Sequence, residues 1–364
     1  MESPLSHFRN LPDPRIARCK EHLLEDIIFI SISGVICGAE GWNEIAEYGQ
    51  AKEEWFKTFL KLPNGIPSHD TFNRVFSALD PIAFERCFLS WTQCVAEKTS
   101  GRVVSFDGKT IRGSKKQAAK SAIHMVSAWC GSNNIVLGQR KVDEKSNEIT
   151  AIPELLSVLV LTGCIVTIDA MGCQSSIAEN IIEQGADYIL AVKANQGSLY
   201  EQIQDSFRFL KPATLFEDLN VDHGRIEKRT SRSIEDLSII EDTEKWKQLK
   251  QLIEVESERT IKATGAIQKE KRYYITSLSC PAKDIANYIR QHWGIENSLH
   301  WVLDVAFRED YSRKRSGNSA QNYSLLNRIA LNLLKNEKSV KVGVKGKRLV
   351  AGWNNQYLID LLKI

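Results

Sequence analysis

The stretch VVSFDGKTIRG, residues 103–113, determines our interpretation of the fold. Its apolar start, VVSF, has the residue types of a buried strand, and Asp107 followed by Gly108 is typical of a strand end. A lone charge there is costly unless a metal ion or a partner group compensates it. Lys109 and Arg112 come next, and their cationic side chains are suited to phosphate. Taken alone, the pattern fits equally well an Asx-turn before a hairpin glycine.

The same pattern occurs again in GCIVTIDAMGCQ, residues 163–174. It predicts a buried strand at 164–168 with Asp169 at its end. A helix in SSIAENIIEQG and a strand in ADYILAVKANQG then complete a β-α-β unit, with Lys193 at the end of that strand. Ligand sites in such sheets lie beyond the carboxyl ends of the strands. Two strands that each end in an aspartate therefore indicate a site more specifically than either strand alone.

Two more strands are predicted between these motifs, at residues 121–130 and 135–142, with a turn between them. Together with the Asp107 strand they would form a three-stranded meander. The predicted fold class is therefore α/β, with a mixed sheet flanked by helices.

The rest of the chain divides by composition. Residues 1–100 are predicted to form a helical N-terminal domain, residues 198–280 a β-rich insertion, and residues 341–364 a basic C-terminal tail. The sheet and its helices occupy residues 101–197 and 281–340. The helix that follows Gly65 and Pro67 resembles the second helix of a helix-turn-helix, although a plain core-packing helix fits its pattern better. The basic stretch at residues 335–348 is interpreted as a solvated tail, although it could also follow DNA phosphates.

The predicted insertion is rich in lysine and arginine. Arg225, Lys228 and Arg229 form a candidate patch that faces DNA phosphates. The alternative is that they are solvated charges that protect an edge strand from aggregation, and the sequence supports both interpretations equally.

A long helix that starts after Pro281 supplies a third acidic residue. Glu296 falls within its apolar stripe, where packing would favour leucine. Arg290, Asn297 and Asp304 form a second line beside it at the usual 100° step. The helix therefore offers polar and acidic groups toward one site.

Asp107, Asp169 and Glu296 together make an acidic trio. Carboxylate oxygens suit Mg²⁺ or Mn²⁺, and two such ions about 4 Å apart can bind both the attacking and the leaving oxygen of a phosphoryl transfer. With Lys193 and Arg290 nearby, the expected substrate is a phosphodiester.

The composition is that of an ordinary globular protein. The chain has 364 residues, of which 43% are hydrophobic and 26% charged. A net charge of +3 permits nucleic-acid binding without requiring it. The eight cysteines show no metal-binding spacing and predict reduced thiols in a cytosolic protein. The sequence predicts neither a signal peptide nor a membrane-spanning helix.

The chain resembles DDE-type insertion-sequence transposases, and most closely the H-repeat-associated proteins of bacteria. Seven blocks carry the likeness in the right order: GIPSHDTFNRVF, FDGKTIRGS, KSNEITAIPELL, IVTIDAMGCQ, ADYILAVKANQG, HWGIENSLHWVLDVAF and SGNSAQNYSLLNRIALNLLK. The resemblance implies a ribonuclease H-like catalytic core in residues 101–197 and 281–340. It also implies metal-dependent cutting and joining of DNA ends, with the DDE triad at Asp107, Asp169 and Glu296.

One departure concerns the glutamate helix. The wider family often has an arginine four residues before the glutamate and a lysine seven after it, whereas this chain has His292 and Leu303 there. Arg290 is a candidate for the role of the arginine.

The resemblance implies double-stranded DNA as partner, both as element ends and as target, a homodimer that bridges two ends, and a cytoplasmic place of action on the bacterial nucleoid. Two alternatives stay open. One is a DNA nuclease that promotes recombination without strand transfer, and the other is a catalytically silent DNA-binding protein descended from a transposase.

Overall fold

Fourteen helices and nine strands occupy the part of the chain that the structure describes. The structure is a computed structural model and describes residues 3–16, 18, 20–95, 101–115, 122–142, 148–222 and 224–363. The strands are β1 (Val103–Ile111), β2 (Ile123–Cys130), β3 (Ile135–Val142), β4 (Ile165–Ile168), β5 (Asp187–Val192), β6 (Thr214–Asp222), β7 (Arg225–Ile234), β8 (Gln251–Ile261) and β9 (Ile267–Thr276). The helices are α1 (Leu5–Phe8), α2 (Leu24–Ile36), α3 (Trp42–Ala51), α4 (Glu53–Phe56), α5 (His69–Ala78), α6 (Pro81–Val95), α7 (Glu148–Val158), α8 (Ser175–Glu183), α9 (Gly197–Phe209), α10 (Ala282–His292), α11 (Trp301–Phe307), α12 (Ser319–Asn336), α13 (Val344–Trp353) and α14 (Asn355–Leu362).

The strands form one sheet in the order β3-β2-β1-β4-β5-β9-β8-β7-β6. The pairs β1–β4 and β4–β5 are parallel, whereas β5–β9 and the pairs from β9 to β6 are antiparallel. The predicted mixed sheet flanked by helices is thereby confirmed. The meander strands β1, β2 and β3 are neighbours in the order, as expected. Ser121, the predicted start of the second meander strand, lies outside the described residues.

The chain forms two units. The first unit comprises Met1–Lys98, Gly108–Asn147 and Glu296–Ile364, and the second comprises Thr99–Asp107 and Glu148–Ile295. In the second unit, α10 packs its apolar face on the sheet, because Ile285 and Ile289 are buried against Val103, Ile165 and neighbouring strand residues. This packing places the last turn of α10 over the first strands of the parallel part.

The first unit is built around two buried helices, α2 and α12. The helix α5 packs against α3 and α12, with Phe72, Val75 and Phe76 buried. The hydroxyl of Ser68 caps it by accepting a hydrogen bond from the backbone N–H of Thr71 at 3.3 Å. These contacts agree with the core-packing interpretation of this helix.

Three local expectations differ from the structure. Strand β1 does not end at Asp107 but continues to Ile111. What ends near Asp107 is the pairing of β1 with β4, whose last registered pair is Phe106 with Ile168. The change of neighbour explains why polar residues begin there although the strand goes on.

The C-terminal segment is also different from the predicted solvated tail. Residues 344–362 form α13 and α14, and Lys347 and Arg348 are buried. The guanidinium of Arg348 donates hydrogen bonds to the carbonyl oxygens of Val35, Ala39 and Ala306. Its charge therefore neutralises carbonyl groups near helix ends instead of facing solvent.

The predicted insertion also joins the sheet. Strand β9 pairs with β5 along Ile189–Val192, so the β6–β9 segment extends the parallel part directly. Within the described residues, no helix is long and apolar enough to cross a membrane. The seven cysteines in those residues are free thiols, and Cys19 lies outside them.

Candidate active site

Asp107 and Asp169 lie on adjacent parallel strands at the same level. The register pairs Phe106 with Ile168, so Asp107 is the next residue of β1 and Asp169 is the first residue after β4. Both side chains are partly exposed, whereas the strand residues before them are buried. The parallel pairing thus places two aspartates that are far apart in sequence at the same level of the sheet.

A tight turn fixes the Asp169 carboxylate. Its Oδ1 accepts hydrogen bonds from the backbone N–H groups of Met171 at 3.1 Å and Gly172 at 3.4 Å. A Cβ on Gly172 would come within 2.3 Å of Ile168 Cγ2 and 2.9 Å of Ile152 Cδ1. Only glycine therefore fits at residue 172, where the backbone approaches Ile168 and Ile152 closely. The backbone of this turn holds one carboxylate oxygen of Asp169.

Lys193 follows β5, the third strand of the parallel set, and is exposed. The loop after it is bonded to the loop after β4. Asn195 Nδ2 donates to the carbonyl of Ala170, and Gln196 Nε2 to that of Cys173, both at 2.7 Å. The loops at the carboxyl ends of β4 and β5 thus form one connected rim, with a cation on it.

A polar layer lies directly below this rim. Thr167 Oγ1 is 3.1 Å from Ser105 Oγ and 2.9 Å from His292 Nδ1. Burial lowers the pKa of His292 to about 4, although the negative charge of Asp169 acts in the opposite direction. The imidazole is therefore neutral at physiological pH. In the sequence, His292 differs from the family pattern, whereas nothing in the pattern around Thr167 indicated a role at the site.

Glu296 lies in a π-helical segment, Ile295–His300, and not in a regular α-helix. It is exposed, as is Asn297, while Ile295 and Leu299 are buried. The prediction that Glu296 falls within the apolar stripe was therefore wrong, because the wider turn of a π-helix changes which residues share a face. Asp107 and Asp169 belong to the second unit and Glu296 to the first.

Lys109 has a different environment from the phosphate-facing one we expected. It is 7% exposed, and its Nζ lies 2.7 Å from Asp304 Oδ1, 2.9 Å from Asp310 Oδ1 and 3.8 Å from Glu309 Oε2. Burial opposes its charge, but the three carboxylates outweigh burial and raise the pKa of Lys109. Its charge is engaged inside the first unit, so we do not include Lys109 in a DNA-binding surface.

The remaining basic candidates differ in how far their charges are paired. Lys228 Nζ is 2.8 Å from Glu217, and Arg229 Nη2 is 2.6 Å from Glu227. Arg290 forms an ion pair with Asp218 of β6. The Lys228–Glu217 pair joins β7 to β6, whereas Arg229 and Glu227 both belong to β7. This pairing of Lys228 and Arg229 agrees with the alternative interpretation of the two residues as charges on the sheet surface.

Arg112 and Arg225 are exposed. The guanidinium of Arg112 is 84% exposed and only 3.4 Å from Asp310 at its Nε, so most of its surface stays open to solvent. These two residues are therefore better placed to meet a phosphate than Lys228 or Arg229.

The donor set of the two aspartates suits a hard divalent cation, since each offers carboxylate oxygens at one sheet edge. Among the described residues, no group of three or more histidine, cysteine, aspartate or glutamate side chains is arranged to hold a metal ion.

The profile of the family described as "Transposase DDE domain" matches residues 98–333, and that of the family described as "DDE_Tnp_1-associated" matches residues 5–92. This chain belongs to the DDE transposase family. The resemblance drawn from the seven sequence blocks is thereby confirmed.

Relatives of this DDE transposase family member are known in Escherichia coli. "Putative transposase YncI" of strain O157:H7 is 44% identical over 373 residues, which cover 100% of this chain and 95% of that protein. "H repeat-associated putative transposase YhhI" of strain K12 is 41% identical over 367 residues, covering 98% of this chain and 97% of that protein. "Inactive transposase YbfQ" of strain K12 is 41% identical over 73 residues, or 20% of this chain.

Among solved structures, a cryo-EM structure of the piggyBac transposase synaptic complex with hairpin DNA is similar to this chain. The match has a TM-score of 0.48 and 13% sequence identity, and covers 100% of this chain and 81% of that one.

Proposed function

We propose that this DDE transposase family member cleaves the DNA at the ends of an insertion element and joins the freed ends to target DNA. The observation that supports the proposal is the pairing of β1 with β4, because Asp107 and Asp169 each come directly after the last registered pair, Phe106 with Ile168. Membership of the DDE family supplies the reaction class.

The catalytic trio in this proposal is Asp107, Asp169 and Glu296, which would hold two Mg²⁺ or Mn²⁺ ions. When bound, the ions supply charge neutralisation and activation of a water or a 3′-hydroxyl at a phosphodiester. The work of the protein is positional. The backbone turn after Asp169 holds one of its oxygens, so its carboxylate is oriented before the DNA arrives. The exposed Glu296 provides the third carboxylate.

The proposed DNA contacts are exposed residues in each unit: Arg112 and Asn297 in the first unit, and Lys193 and Arg225 in the second. Lys193 follows β5 directly and lies on the rim formed by the loops after β4 and β5, and its ammonium would bind a phosphate as a point charge. Lys228, Arg229 and Arg290 already pair with acidic residues and could contribute only by exchanging partners. The proposed partners are element ends and target as double-stranded DNA, bridged by a homodimer on the bacterial nucleoid in the cytoplasm.

Cleavage of a plasmid that carries the chain's own flanking DNA, with Mg²⁺ present, tests the proposal. We expect Asp107→Asn and Asp169→Asn each to reduce the cleavage rate by about 100-fold or more, because a neutral amide would hold the divalent ions far more weakly than a carboxylate does. End binding in a mobility-shift assay should persist. Asp205→Asn, an exposed aspartate of α9, is the matched control and should cleave like the unsubstituted chain.

Each other outcome has a defined meaning. Undiminished cleavage by Asp107→Asn or Asp169→Asn contradicts the proposed site. Normal cleavage by Glu296→Gln removes Glu296 from the trio. Cut ends that are never joined indicate the nuclease, and binding with no cleavage by the unsubstituted chain indicates the catalytically silent protein.

A further inference from the structure

The polar layer below the two aspartates is the strongest feature that the proposed function leaves unused. We infer that Ser105, Thr167 and His292 are positioning residues that set the spacing of Asp107 and Asp169 through the hydroxyl of Thr167. This inference rests on the proposed function, because it assigns a purpose to residues that underlie the same site.

The alternation of strand side chains puts the layer on the same face as the carboxylates. Ser105 lies two residues before Asp107, and Thr167 two residues before Asp169, so each hydroxyl points to the same side of the sheet as its aspartate. The register places Ser105 opposite Thr167, one pair away from the last pair before the aspartates. On this face of the sheet, the two hydroxyls therefore belong to the residues that directly precede the two aspartates.

The direction of each hydrogen bond follows from the donor inventory. A threonine hydroxyl has one proton, and Thr167 Oγ1 donates it to Ser105 Oγ at 3.1 Å. At 2.9 Å from His292 Nδ1 the same oxygen must then accept, so the proton of the neutral imidazole lies on Nδ1. One hydroxyl thus links β1, β4 and the last turn of α10.

Packing alone does not require these residue types. Ser105 is 1% exposed and Thr167 2% exposed, and valine would fill the place of the threonine with nearly the same volume. Polar groups in such a place are tolerated because they are bonded to each other. Hydrogen bonds have preferred directions, so these groups fix the distances between the strands and the helix, whereas apolar contacts would allow the elements to slide.

His292 extends the layer to the helix that precedes the third acidic candidate. It lies in the last turn of α10, whose apolar face is packed on the same strands, and four residues before Glu296 in the chain. The bond to Thr167 therefore fixes the end of that helix to the strand that carries Asp169. The layer thus fixes the positions of β1, β4 and the end of α10 relative to one another.

Substitution of the central hydroxyl tests the inference. We expect Thr167→Val to fold but to bind Mn²⁺ about 10–100-fold more weakly in calorimetry without DNA, the usual range for loss of a group that orients metal ligands. Thr167→Ser keeps the hydroxyl and should restore the affinity. Mg²⁺-dependent cleavage should require correspondingly more Mg²⁺ in Thr167→Val alone.

Thr276→Val is the matched control. Thr276 is a fully buried threonine of β9, and its Oγ1 donates to the carbonyl of Tyr188 at 2.6 Å. Its replacement should lower the unfolding temperature about as much as Thr167→Val does, yet leave Mn²⁺ affinity unchanged. The comparison separates a loss of stability from a loss of positioning.

Nitrogen-15 NMR of the histidine side chains gives a readout independent of metal and DNA. The inference expects the Nδ1–H tautomer for His292 in the unsubstituted chain. The Nε2–H tautomer in the unsubstituted chain would overturn the hydrogen-bond direction and the inference with it.

The failure of the inference can be told from that of the proposed function. If Asp169→Asn abolishes Mn²⁺ binding while Thr167→Val binds normally, or while Thr167→Ser fails to restore binding, the inference alone is refuted. If the unsubstituted chain does not bind Mn²⁺, or Asp169→Asn binds it equally well, the proposed site fails and the positioning role falls with it.

Discussion

Lys109 illustrates how a charge two residues away from a candidate catalytic aspartate can be engaged inside the protein. Its sequence context, next to Asp107-Gly108, resembles that of a residue that contacts phosphate. Its actual neighbours come from α11 and the short 3-10 helix at Glu309–Tyr311, nearly two hundred positions later in the chain. Glu309 is 1% exposed and also forms an ion pair with the fully buried Arg328. Lys109 therefore completes a buried charge network.

Removal of this lysine should destabilise the protein strongly. Lys109→Met would leave Glu309 and Asp304 with less compensation, and breaking a buried ion pair from one side costs about 3–5 kcal/mol. The free energy of unfolding from urea denaturation measures the effect. Lys57→Met is the control, because Lys57 pairs with Glu53 and Glu54 at the surface and its substitution should change stability far less than that of Lys109. Equal losses in the two variants would contradict the buried network.

At the residue scale, the sequence pattern located two aspartates that the strand register places at the same level, but it gave no information about their surroundings. A strand followed by aspartate is a local pattern, and it occurs at both sites. The partners of Lys109, Thr167 and Arg290 depend on which distant segments pack together, and periodicity carries no information about that. Arg348 is a further example, since a basic stretch near a chain end is more often exposed than buried.

Among the elements, the π-helical segment at Ile295–His300 has the greatest effect on the candidate site. A regular helix would place Glu296 in the apolar stripe with Ile289 and Leu303, whereas the observed segment leaves it exposed. Single turns of π-helix are rare and occur often at functional sites. A π-turn cannot be predicted from apolar spacing, because the prediction itself assumes 3.6 residues per turn.

The short 3-10 helix Arg112–Ser114 after β1 is held by an equally specific contact. A Cβ on Gly113 would come within 2.5 Å of the Ser312 carbonyl oxygen and 2.8 Å of the Asp310 carbonyl oxygen. Both obstacles are backbone atoms, which cannot rotate away as a side chain can. The glycine is therefore required where these two segments of the first unit meet.

Gly113→Ala should lower the free energy of unfolding by about 1–3 kcal/mol, the usual cost of overpacking. Gly131→Ala is the matched control, since the nearest atom to its added Cβ is Trp129 Nε1 at an ordinary 3.6 Å. That control should leave stability unchanged or raise it slightly through the unfolded state. Thermal unfolding of both variants measures the difference, and a neutral Gly113→Ala would show that the two segments separate easily.

In the whole molecule, the sheet is more continuous than the sequence indicated. The predicted β-rich insertion does contain four strands, but β9 pairs with β5 and so joins them to the parallel part. Strand existence follows from local composition, whereas pairing between strands about eighty residues apart does not. The element types were therefore largely predictable, and the order of the strands only in the β1–β3 meander and the β4–β5 unit.

The charge distribution leads to a prediction for DNA binding by the whole protein. A net charge of +3 is small, so DNA affinity must come from a few exposed cations. Lys193→Ala should weaken binding across DNA sequences and reduce the slope of log affinity against log salt by about 1, because one phosphate contact is lost. Fluorescence anisotropy at several salt concentrations measures this slope.

Lys245→Ala is the control for this measurement. Lys245 is also exposed and belongs to the same unit, but it forms an ion pair with Asp242 in a short loop. Its substitution should leave the salt dependence unchanged. An unchanged slope for Lys193→Ala would show that the rim formed by the loops after β4 and β5 does not contact DNA.

The sheet order also has a consequence for synthesis of the chain. The segments β1, β4 and β5 are complete once residue 192 has been translated, and proteins generally fold from the N-terminus while the ribosome is still elongating them. Glu296 is translated only after the whole of β6–β9. A nascent chain can thus contain both aspartates of the proposed trio before Glu296 has been added. A product that terminates before residue 296 would lack the third carboxylate and should not cleave DNA.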